Sequence, residues 1–125
     1  MRLAVIRGGL EADARQGLSY FLGISPRTCG SSGLVMHMVV VPPGARAEPH
    51  AHDGYETAIY QLSGIVETRY GESLAEAVVT EAGDFLFVPA GVPHQAVNLS
   101  PTEPAVAIIA RNDPHEDERV VPYEP

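Results

Sequence analysis

Nowhere along this chain do apolar residues hold a helical period for three turns, yet glycine and proline turns interrupt it roughly every ten residues. Amphipathic helices need a sustained 3.6-residue repeat, so no long helix is expected. Many short apolar runs between turn residues instead indicate an all-β sandwich or barrel. Leu34–Val41 is a continuous apolar run ended by Pro42-Pro43-Gly44 and is predicted to be a strand buried on both faces. Strands follow at Glu56–Leu62, Ile65–Tyr70, Ala75–Val79, Phe85–Val88 and Ala105–Arg111, each bounded by Gly, Pro, Ser or Asp. Leu3–Ile6 and Ser19–Leu22 are two further short candidates.

The chemistry-bearing residues sit in two stretches. The first is Gly44-Ala-Arg-Ala-Glu-Pro-His50-Ala-His52-Asp-Gly-Tyr-Glu56, running on to Gly64. Successive side chains of a strand point to opposite faces, so His50 and His52 face the same way. Glu56 shares their parity and joins them if the strand resumes after the turn at Asp53-Gly54. Two imidazoles and a carboxylate on one face suit a transition metal, not calcium, which takes oxygen ligands. The second stretch, Gly83-Asp-Phe-Leu-Phe-Val-Pro89-Ala-Gly91-Val-Pro-His94-Gln-Ala-Val-Asn98, adds a third histidine from another hairpin. Singly, each residue has a plain structural explanation: exposed turn histidines, a surface glutamate, and a core histidine bonded to backbone.

Gly-x5-His-x-His-x3-Glu-x7-Gly followed by Gly-x5-Pro-x-Gly-x2-His-x3-Asn resembles the two signature motifs of the cupin superfamily, in the family's order. The resemblance spans residues 44–98, and the flanking strands fit the same small barrel. It implies a single-domain cupin jelly-roll β-barrel (a double-stranded β-helix). On that reading, residues 1–33 are an N-terminal arm, 34–111 the barrel and 112–125 a C-terminal tail. The expected metal ligands are His50, His52, Glu56 and His94, leaving two adjacent open positions on an octahedral ion. Open positions favour iron(II) or manganese(II); nickel, copper and zinc remain alternatives. Small cupins often dimerise through terminal strands, so a homodimer is expected.

Other residues are assigned by parity. His37 shares a face with Val39 and Val41, the face that by the resemblance looks into the barrel near the metal, where it would act as a base or bind substrate; the alternative is a half-buried strand contact. Tyr60 has the parity of Glu56 and is a candidate lumen hydroxyl or an ordinary core tyrosine. Arg111 ends the last long strand and either pairs with a substrate carboxylate or forms a surface ion pair with Asp113 or Glu116. Ala47, Ala96 and Ala107 would leave room for a small molecule. Phe85 and Phe87 share a parity and are expected to pack in the core, Asp84 to hold a turn, and His115 to lie on the surface among carboxylates.

Composition excludes several alternatives. A formal charge of −8, with no basic run, argues against nucleic acid and anionic membranes as partners. All eight basic residues are arginines, so no lysine can form a Schiff base. The single cysteine, Cys29, excludes an internal disulfide and a multi-cysteine zinc site. Leu3–Ile6 is too short for a signal-peptide core or a membrane span, and the expected location is cytoplasmic. Three functions share the four ligands: a metal-dependent small-molecule enzyme (dioxygenase-like, or an isomerase, lyase or cyclase), a non-catalytic sensing or storage module, and a barrel that metal only stiffens.

Overall fold

The computed structural model describes residues 3–15, 18–113, 115 and 119–125, with backbone alone for 10–15. Two antiparallel sheets carry the fold. The strands, in chain order, are β1 (Leu10–Arg15), β2 (Leu18–Ile24), β3 (Val35–Val41), β4 (His50–His52), β5 (Thr57–Ser63), β6 (Ile65–Tyr70), β7 (Glu76–Glu81), β8 (Phe85–Val88), β9 (His94–Asn98), β10 (Ala105–Arg111) and β11 (Val120–Pro122). One sheet runs β1-β2-β3-β10-β5-β8 and the other β11-β4-β9-β6-β7. All-β architecture is as the turn spacing requires. The sheets are not closed on each other by hydrogen bonds, so they pack as two facing layers. The only described α-helix is the single turn α1 (Pro26–Cys29), capped by Ser25, whose side chain accepts from the Thr28 N–H. Among the described residues no helix is long and apolar enough to cross a membrane.

Register determines which side chains meet. On the six-stranded sheet, Val35, Arg111, Thr57 and Val88 form one cross-strand row, and Leu22, His37, Ile109, Ile59 and Leu86 form the next. A third row holds Tyr20, Val39, Ala107 and Gln61. These rows face the second sheet. The apolar core (Leu18, Tyr20, Val39, Val41, Ala47, Val66, Ala105 and Ala107) fills the end distant from Arg111. His37 and Arg111 thus lie on inward-facing rows at the opposite end.

Several strand-level expectations need correction. β3 alternates between buried and more open positions, with Met36 43% exposed, so it is buried on one face and not on both. A strand lies at Leu10–Arg15, whereas Leu3–Ile6 has no regular structure. Phe85 and Phe87 point outward, 81% and 57% exposed, because Leu86 and Val88 of the same strand take the inner positions. β3 and β8 each have apolar residues at both parities. Alternation alone therefore does not reveal the inner face.

Two motif residues serve the chain path. Gly64, at φ +83°, turns between β5 and β6, and a Cβ there would lie 2.7 Å from both Cα and Cβ of Ala105. Asn98 is buried, and its Nδ2 donates to the Val41, Pro42 and Glu103 carbonyls at 3.0, 3.1 and 2.8 Å. Its Oδ1 accepts from the Ser100 N–H at 2.9 Å. This side chain ties the loop after β3 to the approach to β10.

Candidate metal centre

β4 and β9 are adjacent antiparallel strands, and His50 and His94 are direct cross-strand partners. His52 follows two residues along β4, on the same face. The result is a cluster of three buried imidazoles with ring centroids 4.4–5.0 Å apart. One ring nitrogen from each lies within 4.8 Å of the others. The turn Gly91-Val92-Pro93 delivers His94, and the Gly91 N–H anchors it by donating to the His52 carbonyl at 2.9 Å.

Each ring is oriented from behind. His50 Nδ1 donates to the Glu48 carbonyl at 2.8 Å, and His94 Nδ1 donates to the Val92 carbonyl at 2.9 Å. A carbonyl only accepts, so the neutral form of each ring carries its proton on Nδ1 and turns an Nε2 lone pair toward the cluster. His52 Nδ1 lies 2.9 Å from Thr57 Oγ1, which can accept or donate. His50 Nε2 and His52 Nε2 are 3.2 Å apart. With a cation between them, Thr57 would accept from Nδ1 and leave the His52 Nε2 lone pair facing the cluster. Without one, Thr57 donates, and the His52 proton on Nε2 bridges to His50. This is the outer-sphere support that metal-ligating histidines require.

Burial, followed by repulsion from His94, His50, Arg111 and His37, lowers the pKa of His52 to about 3. Burial and His50 lower that of His94 to about 4, against a small opposing effect of the Val92 hydrogen bond. Both rings are neutral at pH 7, the form that binds metal.

Glu56 does not join these histidines. It is exposed, and its backbone N–H donates to Asn112 Oδ1 at 2.8 Å. β4 ends at His52 and β5 begins at Thr57. The intervening turn passes through Gly54 at φ +79°, so parity is not carried across it. Tyr55 and Thr57 are the buried residues instead, with Tyr55 stacked on His52 at 4.9 Å between centroids. Sequence reasoning missed both. Tyr60 also falls on the outer face, packed against Phe85 at 4.7 Å, and does not offer its hydroxyl to the interior.

Between the sheets lies a cavity of about 90 Å³. The three histidines, His37, Thr57, Gln61 and Arg111 line it, together with Ala47, Ala96, Ala107 and apolar core residues. His37 is 2% exposed and meets the Tyr20 ring edge-on at 4.8 Å. Arg111, 3% exposed, is not a surface residue: its Nη2 donates to the His115 carbonyl at 2.6 Å, and its guanidinium lies 5.8 Å from the Tyr55 ring centroid. Asp113 is fully buried, bonded by His115 Nδ1 at 2.8 Å and by Arg119 at 3.4 Å. Glu116 lies outside the described residues. The His115 ring is largely exposed, as a surface residue should be. Asp84 holds its turn by accepting from the Glu81 N–H at 2.8 Å.

Comparison with known structures gives the same architecture. Oxalate decarboxylase from Bacillus subtilis at pH 4.6 is 26% identical over 87% of this chain, with a TM-score of 0.73. A B. subtilis oxalate decarboxylase studied for its Mn(II) centres is 26% identical over 84%, with a TM-score of 0.71. The Lactobacillus farciminis oxalate decarboxylase–formate complex is 19% identical over 90%, with a TM-score of 0.74, a likeness of fold alone. The chain spans 28%, 28% and 32% of those chains, respectively. No curated protein matches the sequence. The family model for the cupin domain matches residues 37–111, from His37 on β3 to Arg111 at the end of β10. This chain belongs to the cupin family.

Proposed function

We propose that this cupin is a metal-dependent enzyme that acts on a small molecule held between its two sheets, which form the family's jelly-roll barrel. The observation that carries the reading is the convergence of three buried histidines, each with its Nδ1 engaged from behind. His50, His52 and His94 are the ligands. His52 and His94 are neutral at pH 7, so neither would offset the charge of a divalent ion. Three protein donors leave room on the ion for substrate, and iron or manganese suits such an open site better than a closed tetrahedral zinc centre. When bound, such an ion supplies Lewis acidity and, for a redox-active metal, electron transfer.

The chain's own residues provide the rest. Thr57 and the Glu48 and Val92 carbonyls hold the imidazoles in position. Tyr55 walls the centre behind His52. His37 sits in the same cavity, two rows from the apolar end, and is the candidate to take or return a substrate proton. The apolar lining excludes water and receives the substrate's carbon skeleton.

Turnover tests the reading. Protein reconstituted with iron(II) or manganese(II) is incubated with small oxo-acids and diketones while dioxygen uptake and products are followed. Metal-dependent conversion that His94→Ala abolishes supports an enzyme. Binding with no conversion of any compound would make the site a ligand-binding module.

A further inference from the structure

We infer that the ligand of the histidine centre carries an uncharged apolar tail, an aryl group or an alkyl chain, and that this tail lies outside the cavity in a groove along the seam between β7 and β8. This deepens the proposed function and rests on it for the anchoring of the ligand's head; the groove stands on its own observations. β7 and β8 are consecutive strands that belong to different sheets. Beside the turn that joins them the seam is shut. There the Gly83 N–H donates to the Gln61 carbonyl at 2.9 Å, and Thr80 Oγ1 donates to Gln61 Oε1 at 3.4 Å. Farther from the turn lies a groove of about 350 Å³, walled by Tyr70, Val78, Phe87, Pro89 and Val92. It adjoins the cavity, because Thr68, Leu86, Val88 and His94 line both.

Register makes the path short. Tyr70 is the cross-strand partner of His94, as His94 is of His50, and Val78 is the partner of Thr68. Adjacent strands lie about 4.8 Å apart, so Tyr70 stands one strand from the histidine centre. Tyr70 and Val78 also share the parity of Thr68 and Thr80, which line the cavity. Inner-face side chains of paired sheets normally interdigitate with the opposing layer. Thr68 and Thr80 do so at 6% and 7% exposure, whereas Tyr70 and Val78 each stay 37% exposed. The facing sheet thus leaves apolar inner positions half open beside the centre. No Asp, Glu or Arg stands among the described residues that line the groove, so its walls suit uncharged carbon. Glu76 continues the Tyr70 row at the exposed edge and would repel an anionic tail. Size agrees. An apolar cavity of about 150 Å³ holds benzene, so the cavity of about 90 Å³ takes only a head group, while the groove has room for a ring or a six-carbon chain.

Hydroxamates test this, since they join a constant metal-binding head to a variable tail. Calorimetry on manganese(II)-loaded protein compares acetohydroxamate with hexanohydroxamate and phenylacetohydroxamate. The two longer compounds are expected to bind at least about tenfold more tightly, because each methylene withdrawn from water contributes about threefold to fourfold. In the double variant Val78→Asn, Phe87→Ser that preference should fall below about threefold, with acetohydroxamate affinity and metal content at the wild-type level. Phe85→Ser alters an exposed aromatic outside the groove and should leave the preference intact. Equal binding of all three compounds by the wild type overturns the inference. A preference that survives the double variant, or is lost equally in Phe85→Ser, overturns it too. A metal-free arm separates the groove from the metal. Benzyl alcohol has no metal-binding head, and it should shift the backbone amide resonances of Val78, Phe87 and Val92 in metal-free wild-type protein. No shift at these residues overturns the groove, whether or not the variants fold. If the shifts appear but the protein takes up no metal, the proposed metal chemistry fails and the groove is upheld as a site for apolar ligands.

Discussion

Replacing Thr57 with valine keeps the β-branched shape and removes one hydroxyl. The lost contact is the 2.9 Å bond between Thr57 Oγ1 and His52 Nδ1, in a buried site. Losing such an outer-sphere partner costs about 10–100-fold in metal affinity, or about 1.4–2.7 kcal/mol. Metal-free protein should lose about 1–3 kcal/mol of stability, the cost of a buried polar atom left without its bond. The assay is competition with a chromophoric chelator, alongside urea denaturation of the metal-free variants. Thr57→Ser, which keeps the hydroxyl, should retain most of the affinity. Glu56→Gln is the essential contrast. Its side chain is exposed and outside the histidine cluster, so affinity should stay within about twofold and stability within about 0.5 kcal/mol. Wild-type affinity in Thr57→Val would refute the positioning argument. A loss in Glu56→Gln as large as that in His94→Ala would refute the three-histidine site and restore a carboxylate ligand.

Three more outcomes are expected. His37→Asn should keep full metal content and lose at least tenfold in turnover; unchanged turnover would reduce His37 to a packing residue. Asn98→Ala should destabilise the fold by about 3 kcal/mol in denaturant titration, because three carbonyls lose a donor at once. Loss below 1 kcal/mol would contradict the role assigned to Asn98. Metal-free protein should weaken as pH falls below 6.5. There the unfolded chain protonates His52 and His94, while the folded one resists until about pH 3 and about pH 4, respectively. Proton uptake by the unfolded state lowers stability by about 1.4 kcal/mol per pH unit per group, some 3 kcal/mol in all between pH 6.5 and 5. His94→Gln should show roughly half that loss, and an equal loss would show that the histidines are not its source.

The parts of the site legible in the sequence were those carried by continuous strands. His50 and His52 needed only the two-residue period, and His37, Val39 and Val41 followed the same rule to the interior. Glu56 was lost because parity does not survive a turn containing a positive-φ glycine. The same one-residue shift moved Tyr60 outward and brought Thr57 and Gln61 in. Phe85 and Phe87 illustrate the converse. Hydrophobicity selects a strand, yet the face is set by its neighbours, and at this sheet edge the smaller Leu86 and Val88 take the inner positions. Arg111 was ambiguous because its neighbours Asp113 and Glu116 offered a simple surface pair. The β10 register with β3 and β5 turned it inward instead. The motif glycines and Asn98 were visible as a pattern. Their reasons, a close approach to Ala105 and three carbonyls gathered by one amide, are tertiary and have no local signature.

The central claim is that three histidines hold one metal. Elemental analysis of protein expressed without a histidine tag, counting iron, manganese, nickel, copper and zinc, tests it most directly. The expected result is close to one equivalent of divalent metal per chain, lost in His94→Ala and retained in Glu56→Gln. Wild-type protein that binds no metal, even after anaerobic reconstitution, would contradict the claim.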